Sequence, residues 1–272
     1  MSHITNIISR GFGRIATTKF PKSIQRFINK TYVKKLNLDM SEFEEPESYE
    51  TLNKLFTRSL KKPREFKKDK NSIYAMCDCW VSECGKIDNN LQAFQIKGFS
   101  YSINELFGDY ILNKEKEKLI GGMYANLYLS PADYHHYHVP CDMKIVKAVH
   151  IPGRLYPVNL TWLNKKLSLF AENERVILEC ENEEKIKFFL VFVGALNVGK
   201  MRFYFDENIN TNVKNDRQTL NIYENLYLKQ CDNLGYFEMG STVLFFGQKD
   251  KFSLNIKQGQ KIKYNTILAE VL

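Results

Sequence analysis

Two hydrophobic periods divide the chain. Up to about residue 70 apolar side chains recur at helical spacing, and from about Ile73 onward they come in short β-rich runs. Pro21 suits the first turn of a helix. At about 100° per residue, Phe20, Ile24, Phe27 and Ile28 fall within roughly a 100° arc, with Lys22, Arg26 and Lys30 on the other side. Tyr49, Leu52, Phe56 and Leu60 form a second stripe, which Pro63 ends. The later runs are WVSECGKI, LQAFQIKGF, GMYANLYLS, KIVKAVHI, RVILEC, KIKFFLVFVGALNVG, KMRFYF, STVLFF and KFSLNI. Gly, Asn, Asp and Lys clusters separate them, so they read as strands. Only SINELFGDYILN interrupts them with a helical pattern. The expected fold is α+β: a helical segment over residues 1–70, then a mostly antiparallel β domain over 71–272.

Composition adds charge to this picture. The chain has 272 residues and a formal net charge of +8. Eight Lys or Arg residues and no Asp or Glu lie between Met1 and Leu38, so the front of the chain seeks an anionic surface. No nucleic-acid motif accompanies the charge, and the basic residues sit in an arm rather than among strand aromatics. Two readings of the helix after Pro21 stand side by side: it lies in a membrane interface, or it docks on the protein's own core with a solvated basic back. No run of about 18 uncharged apolar residues is present, so a spanning helix is not expected. The first twenty residues do not read as a signal peptide. Without one, Cys77, Cys79, Cys84, Cys141, Cys180 and Cys231 read as reduced thiols. A zinc site from Cys77, Cys79 and the histidines near position 136 is a weaker alternative.

Three segments carry candidate chemistry. PADYHHYHVP holds His135, His136 and His138. If extended, it puts His136 and His138 on one face and His135 on the other; if it turns, His135 and His138 converge. That last pair has the HxxH spacing of some metal ligands but lacks a nearby carboxylate. GYFEMGSTVLFF places Ser241 directly after Gly240, at the start of an apolar strand. A serine hydroxyl so placed can attack the preceding carbonyl, the least hindered acyl group a peptide offers, given a base to take its proton. In CDCWVSECGKI, Asp78 is the one early acid in an uncharged run, and it needs a partner inside.

Together these segments resemble the phosphatidylserine decarboxylase family. FTRSLKKPREF, IKGFSYSINELFG, LYPVNLTWLN with LFAENERV, and VGALNVGKM fit the same family in order, from roughly Leu52 to the C-terminus. The resemblance implies that Ser241 attacks the Gly240 carbonyl, with His138 as general base and Asp78 orienting it. The chain would part into 1–240 (β chain) and 241–272 (α chain), with Ser241 becoming a pyruvoyl group. That cofactor would condense with the amine of phosphatidylserine and hold the electron pair left by carbon dioxide, giving phosphatidylethanolamine. His135 matches the proton donor of decarboxylation. No metal is implied. The implied partners are phosphatidylserine in an anionic membrane and the two chains of one precursor, with a homodimer compatible. The implied location is peripheral, on the cytoplasmic face of the cell membrane. A related decarboxylase of a soluble amino acid is the alternative. The sequence departs from the family at Met76-Cys77-Asp78-Cys79, where Pro and Gly usually flank the aspartate. It also departs at Met239, and at His136, where arginine is frequent.

Overall fold

The structure is a computed structural model that describes residues 4–96, 99–158, 160–163, 168–196, 200–213, 217–238 and 242–272. Gly240 and Ser241 lie outside the described residues. The elements in chain order are α1 (Ile4–Thr17), α2 (Lys22–Leu36), α3 (Leu52–Phe56), β1 (Ser72–Tyr74), β2 (Cys79–Lys86), β3 (Gln92–Ile96) and β4 (Phe99–Ser102). They continue with α4 (Ile103–Phe107), α5 (Asn113–Glu117), β5 (Met123–Tyr128), β6 (His136–His138), β7 (Met143–Ile151), α6 (Leu160–Leu163), α7 (Leu169–Glu172) and β8 (Arg175–Asn182). The last are β9 (Lys187–Val193), β10 (Lys200–Phe203), β11 (Thr219–Leu228), β12 (Asn233–Glu238), β13 (Thr242–Gly247), β14 (Phe252–Leu254), β15 (Lys261–Ile262) and β16 (Ile267–Val271). The fold is α+β, with helices at the front and antiparallel strand pairing thereafter.

An eight-stranded sheet in the order β11-β7-β8-β9-β13-β5-β2-β15 forms the centre. Its middle strands, Phe188–Val193 of β9 and Thr242–Gly247 of β13, are buried on both faces, which suits their continuous aromatic and β-branched composition. On one face Phe192 packs against Tyr137, Phe203 and Phe237 of a second sheet, ordered β10-β12-β6. On the other, Phe107 of α4 packs 4.8 Å from Phe189. The chain thus runs from β12 in the small sheet to β13 in the large one, and 239–241 is the connection between them.

The front helices differ from expectation in two ways. The stripe from Tyr49 to Leu60 makes only the short α3, capped by Thr51, whose hydroxyl accepts the Lys54 N–H. Beyond Phe56 tertiary contacts win over helix: the Thr57 carbonyl accepts from His136, and Arg58 turns inward to carbonyls of the loop before β6. In α2 the inward face is polar. Gln25 donates to Asn29, which donates to the carbonyls of Pro46 and Tyr49. Phe20, Ile24 and Phe27 are left in solvent, and Ile28 is half-buried. A further apolar stripe on α1, at Ile4, Ile7, Ile8 and Ile15, is exposed as well. The run LQAFQIKGF, expected as one strand, contributes to the β3–β4 hairpin, with 97–98 outside the described residues.

Candidate active site

The histidine cluster lies on β6, the edge of the small sheet, with the extended geometry that alternates side chains. His136 and His138 face Tyr134, at ring separations of 5.1 and 5.8 Å. His135 turns the other way and lies 4.0 Å from the Phe56 ring. His135 and His138 therefore do not converge as a ligand pair.

Backbone carbonyls, which can only accept, assign the proton on each ring. His135 Nδ1–H donates to the Asp133 carbonyl at 2.8 Å, and its Nε2 is buried with no partner among the described residues. His138 Nδ1–H donates to the Cys231 carbonyl at 3.0 Å, and its Nε2 faces the Tyr134 hydroxyl at 3.3 Å. His136 has the opposite tautomer: Nε2–H donates to the Thr57 carbonyl, and Nδ1 accepts from Asn233 Nδ2 at 2.8 Å. Two of the three rings thus present an unprotonated Nε2, which on His138 accepts a long bond from the Tyr134 hydroxyl and on His135 has no partner among the described residues. Both nitrogens of His136 are consumed by structure.

Burial dominates the protonation of these rings. It pushes His135 down to about 3 and His138 down to about 4, and it lowers His136 as well. All three are neutral at physiological pH. Around His138, the Asp78 charge favours the imidazolium and the Arg64 charge opposes it, both less strongly than burial.

Asp78 does find the internal partner its position calls for. Arg64 grips both carboxylate oxygens, at 2.5 and 2.7 Å, and the Tyr264 N–H donates to Oδ1 at 3.0 Å. Arg64 also grips Glu42, holding that carboxyl down at about 2. Asp78 and His138 share no hydrogen bond among the described residues. They are linked by Tyr264, whose ring stacks on His138 at 3.8 Å and 10°, and by Met76, whose carbonyl accepts the His138 backbone N–H. Cys79, which stands where the family has glycine, is buried in extended β2 and does not adopt positive φ. The missing glycine costs nothing here.

The loop carrying His135 is held from beneath. Arg58, 2% exposed, donates to the carbonyls of Ala132 and Asp133, and Asp133 itself accepts from the Ser130 N–H and hydroxyl. The flanks of 239–241 are close to these histidines. The Phe237 N–H donates to the His135 carbonyl at 3.0 Å, and Thr242, buried with no partner for its Oγ1 among the described residues, pairs with Tyr128 and Val193. Arg64, Tyr134, Tyr264 and the Cys231 carbonyl were not singled out by sequence reasoning. Arg64 had a signal, its place in KKPREF. The Tyr264–Asp78 bond spans 186 residues and had none.

A sequence profile of the phosphatidylserine decarboxylase family matches residues 52–270. The chain is 47% identical over 266 residues to the phosphatidylserine decarboxylase proenzyme of Campylobacter jejuni, covering 96% of this chain and 97% of that protein. It is 48% identical over 267 residues to the proenzyme of the same name from Helicobacter pylori, covering 96% and 98%. The proenzyme of Idiomarina loihiensis is 33% identical over 276 residues, covering 98% of this chain and 92% of that protein.

Proposed function

The chain belongs to the phosphatidylserine decarboxylase family, and from that premise we propose that it converts phosphatidylserine to phosphatidylethanolamine and carbon dioxide after cutting itself between Gly240 and Ser241. The observation that carries the reading is the pair of neutral histidines, His135 and His138. Each is locked with its proton on Nδ1 and its Nε2 lone pair turned into a buried site.

In self-cleavage the Ser241 hydroxyl attacks the Gly240 carbonyl, and His138 Nε2 takes the hydroxyl proton. The Cys231 carbonyl keeps that ring in the accepting tautomer. The Asp78 carboxylate, fixed by Arg64 and the Tyr264 N–H, favours the imidazolium that forms. The ester then eliminates the Gly240 carboxylate, parting 1–240 from 241–272 and leaving dehydroalanine at 241; its enamine takes up water and releases ammonia, which leaves a pyruvoyl group at that position. The His135 Nε2 and Thr242 Oγ1, buried and without a partner among the described residues, suit a carbonyl-bearing group beside the flanks of this segment. That group supplies an electron sink for the pair left when carbon dioxide departs. His135 manages the proton: held neutral, its Nε2 accepts the proton that the substrate's ammonium sheds on condensing and later returns it to the substrate carbon. Phe56 and the buried loop exclude water around it.

The exposed apolar faces of α1 and α2, flanked by the basic residues of the arm, suit peripheral attachment to an anionic membrane. They favour a lipid substrate over a soluble amino acid. The intact mass of purified protein tests the reading. Two chains of about 28 and 4 kDa, in proportion to 240 and 32 of the 272 residues and 31.9 kDa, are expected. The smaller should lack a free amino terminus. One uncut chain in an active preparation refutes it.

A further inference from the structure

We propose that the groove between α1 and β10 binds the phosphodiester of a membrane phospholipid, with Arg14 and Lys200 as its charged contacts. This deepens the lipid-decarboxylase reading above and rests on it. The groove encloses about 390 Å³, and Arg10, Gly13, Arg14, Lys200 and Glu238 are among its lining residues.

The arrangement around α1 assigns the occupant. At about 100° per residue, Thr5, Ser9, Phe12 and Ala16 point to the body, and Ile4, Ile7, Ile8 and Ile15 form the exposed stripe. Gly13, Arg10 and Arg14 fill the sector between them. A bilayer that receives the isoleucines therefore brings its phosphates level with Arg10 and Arg14, at the mouth of the groove.

The charges inside are uneven. Glu238, the one acid in the lining described, already accepts from Arg202 Nε at 3.0 Å, and Arg10 reaches Asn212 at 3.5 Å. The Arg14 and Lys200 side chains have no hydrogen-bond or ion-pair partner among the described residues. A singly negative phosphodiester matches this surplus, and a guanidinium with an ammonium is a strong donor set for it. A Cβ at Gly13 would meet nothing within 4 Å, so the absent side chain is part of the opening. Glu238 also ends β12, the strand whose Phe237 bonds the His135 carbonyl. The groove therefore borders the strand whose backbone holds the His135 carbonyl.

The test uses the full chain and dihexanoyl phosphatidylethanolamine below its micellar range. This lipid carries the phosphodiester but cannot be decarboxylated, and its binding is followed by calorimetry. Arg14→Gln and Lys200→Gln should each weaken binding roughly tenfold. Gly13→Leu should weaken it as much by filling the groove without changing charge, and it raises helix propensity, so folding is not at risk. Self-cleavage, read by intact mass, should be unchanged in all three. Unchanged lipid affinity in the three variants overturns the proposal, as does inorganic phosphate competing as well as the lipid. Loss of vesicle attachment with short-chain binding intact would make these cations a surface attraction only, and would also overturn it. Because the readout is binding, an uncut or inactive wild type would count against the decarboxylase reading without obscuring the result here.

Discussion

The exposed isoleucine stripe of α1 makes the membrane reading quantitative. Ile4, Ile7, Ile8 and Ile15 are 66%, 55%, 51% and 63% exposed, a little over two full side chains still in water. At about 2 kcal/mol per buried side chain, inserting them is worth on the order of 5 kcal/mol. Replacing all four with serine should therefore lower the vesicle partition coefficient by more than about a thousandfold. The fold has little to lose, because these residues face outward and serine and isoleucine have similar helix propensity. The basic residues of the arm contribute about 1 kcal/mol each near an anionic surface, and salt screens that part. Sedimentation with phosphatidylserine vesicles across a salt series separates the two contributions. Wild type should loosen at high salt but stay partly bound, and the serine variant, left with the α2 face alone, should bind far more weakly at every salt concentration, with the same melting temperature. High-salt binding of the variant as strong as that of wild type would refute the argument. A fall of many degrees in melting temperature would show instead that the stripe belongs to the folded core.

The proposed site makes further predictions. His138→Ala should leave the chain uncut on a denaturing gel, whereas His135→Ala should still cut but release little carbon dioxide; the reverse pattern would exchange their roles. Asp78→Asn should slow processing by roughly ten- to hundredfold, because the Cys231 carbonyl keeps the tautomer and only the charge is lost; a loss near 10⁴, typical of a wrong tautomer, would refute this. For pH, the folded values of about 3 and 4 lie below the unfolded value near 6.5, so the unfolded chain takes up the extra protons. Stability should be flat above about pH 6.5 and fall toward pH 4, by up to about 3 kcal/mol per ring. Urea melts at pH 7 and 5 should show the fall, and a smaller one for His135→Gln.

Much of the fold was legible because burial leaves a period in the sequence. The uninterrupted apolar run of β9 was read as a strand, and in the fold it lies near the centre of the large sheet. β11 was passed over, since its alternation is carried by Asn and Glu as well as Leu and Tyr on a largely exposed edge. The α2 stripe was visible, but a helical period does not say which face turns inward. Here the inward face is amide-rich because two carbonyls, of Pro46 and Tyr49, need donors. At the site, the crowding of histidines was legible and their tautomers were not. Those are set by carbonyls of Asp133, Thr57 and Cys231, and only folding brings the last two there. The grip of Arg64 on Asp78 was likewise beyond reach, because proximity to a family motif names a residue without naming its partner.

The burial that lowers the two histidines has opposite consequences for the two reactions proposed. A ring near pKa 4 is a weak equilibrium base, which suits a step performed once per chain better than one repeated each turnover. For His138 the deficit would be deeper without its surroundings. Proton transfer from Ser241 would create an imidazolium next to Tyr264 and within the field of Asp78, whose pull exceeds the push of Arg64. Arg64 is therefore needed less as a charge than as a clamp: with two carboxylates on one guanidinium, it holds Asp78 in place without cancelling it. His135 has no such carboxylate among the groups that shift it; burial, Arg58 and His136 all disfavour its charged form, and only the Asp133 carbonyl favours it. A proton placed on its Nε2 is consequently given up readily. That is the property wanted of a group that must return a proton to carbon before product leaves, and it follows from the same β6 alternation that sends its neighbour toward Asp78.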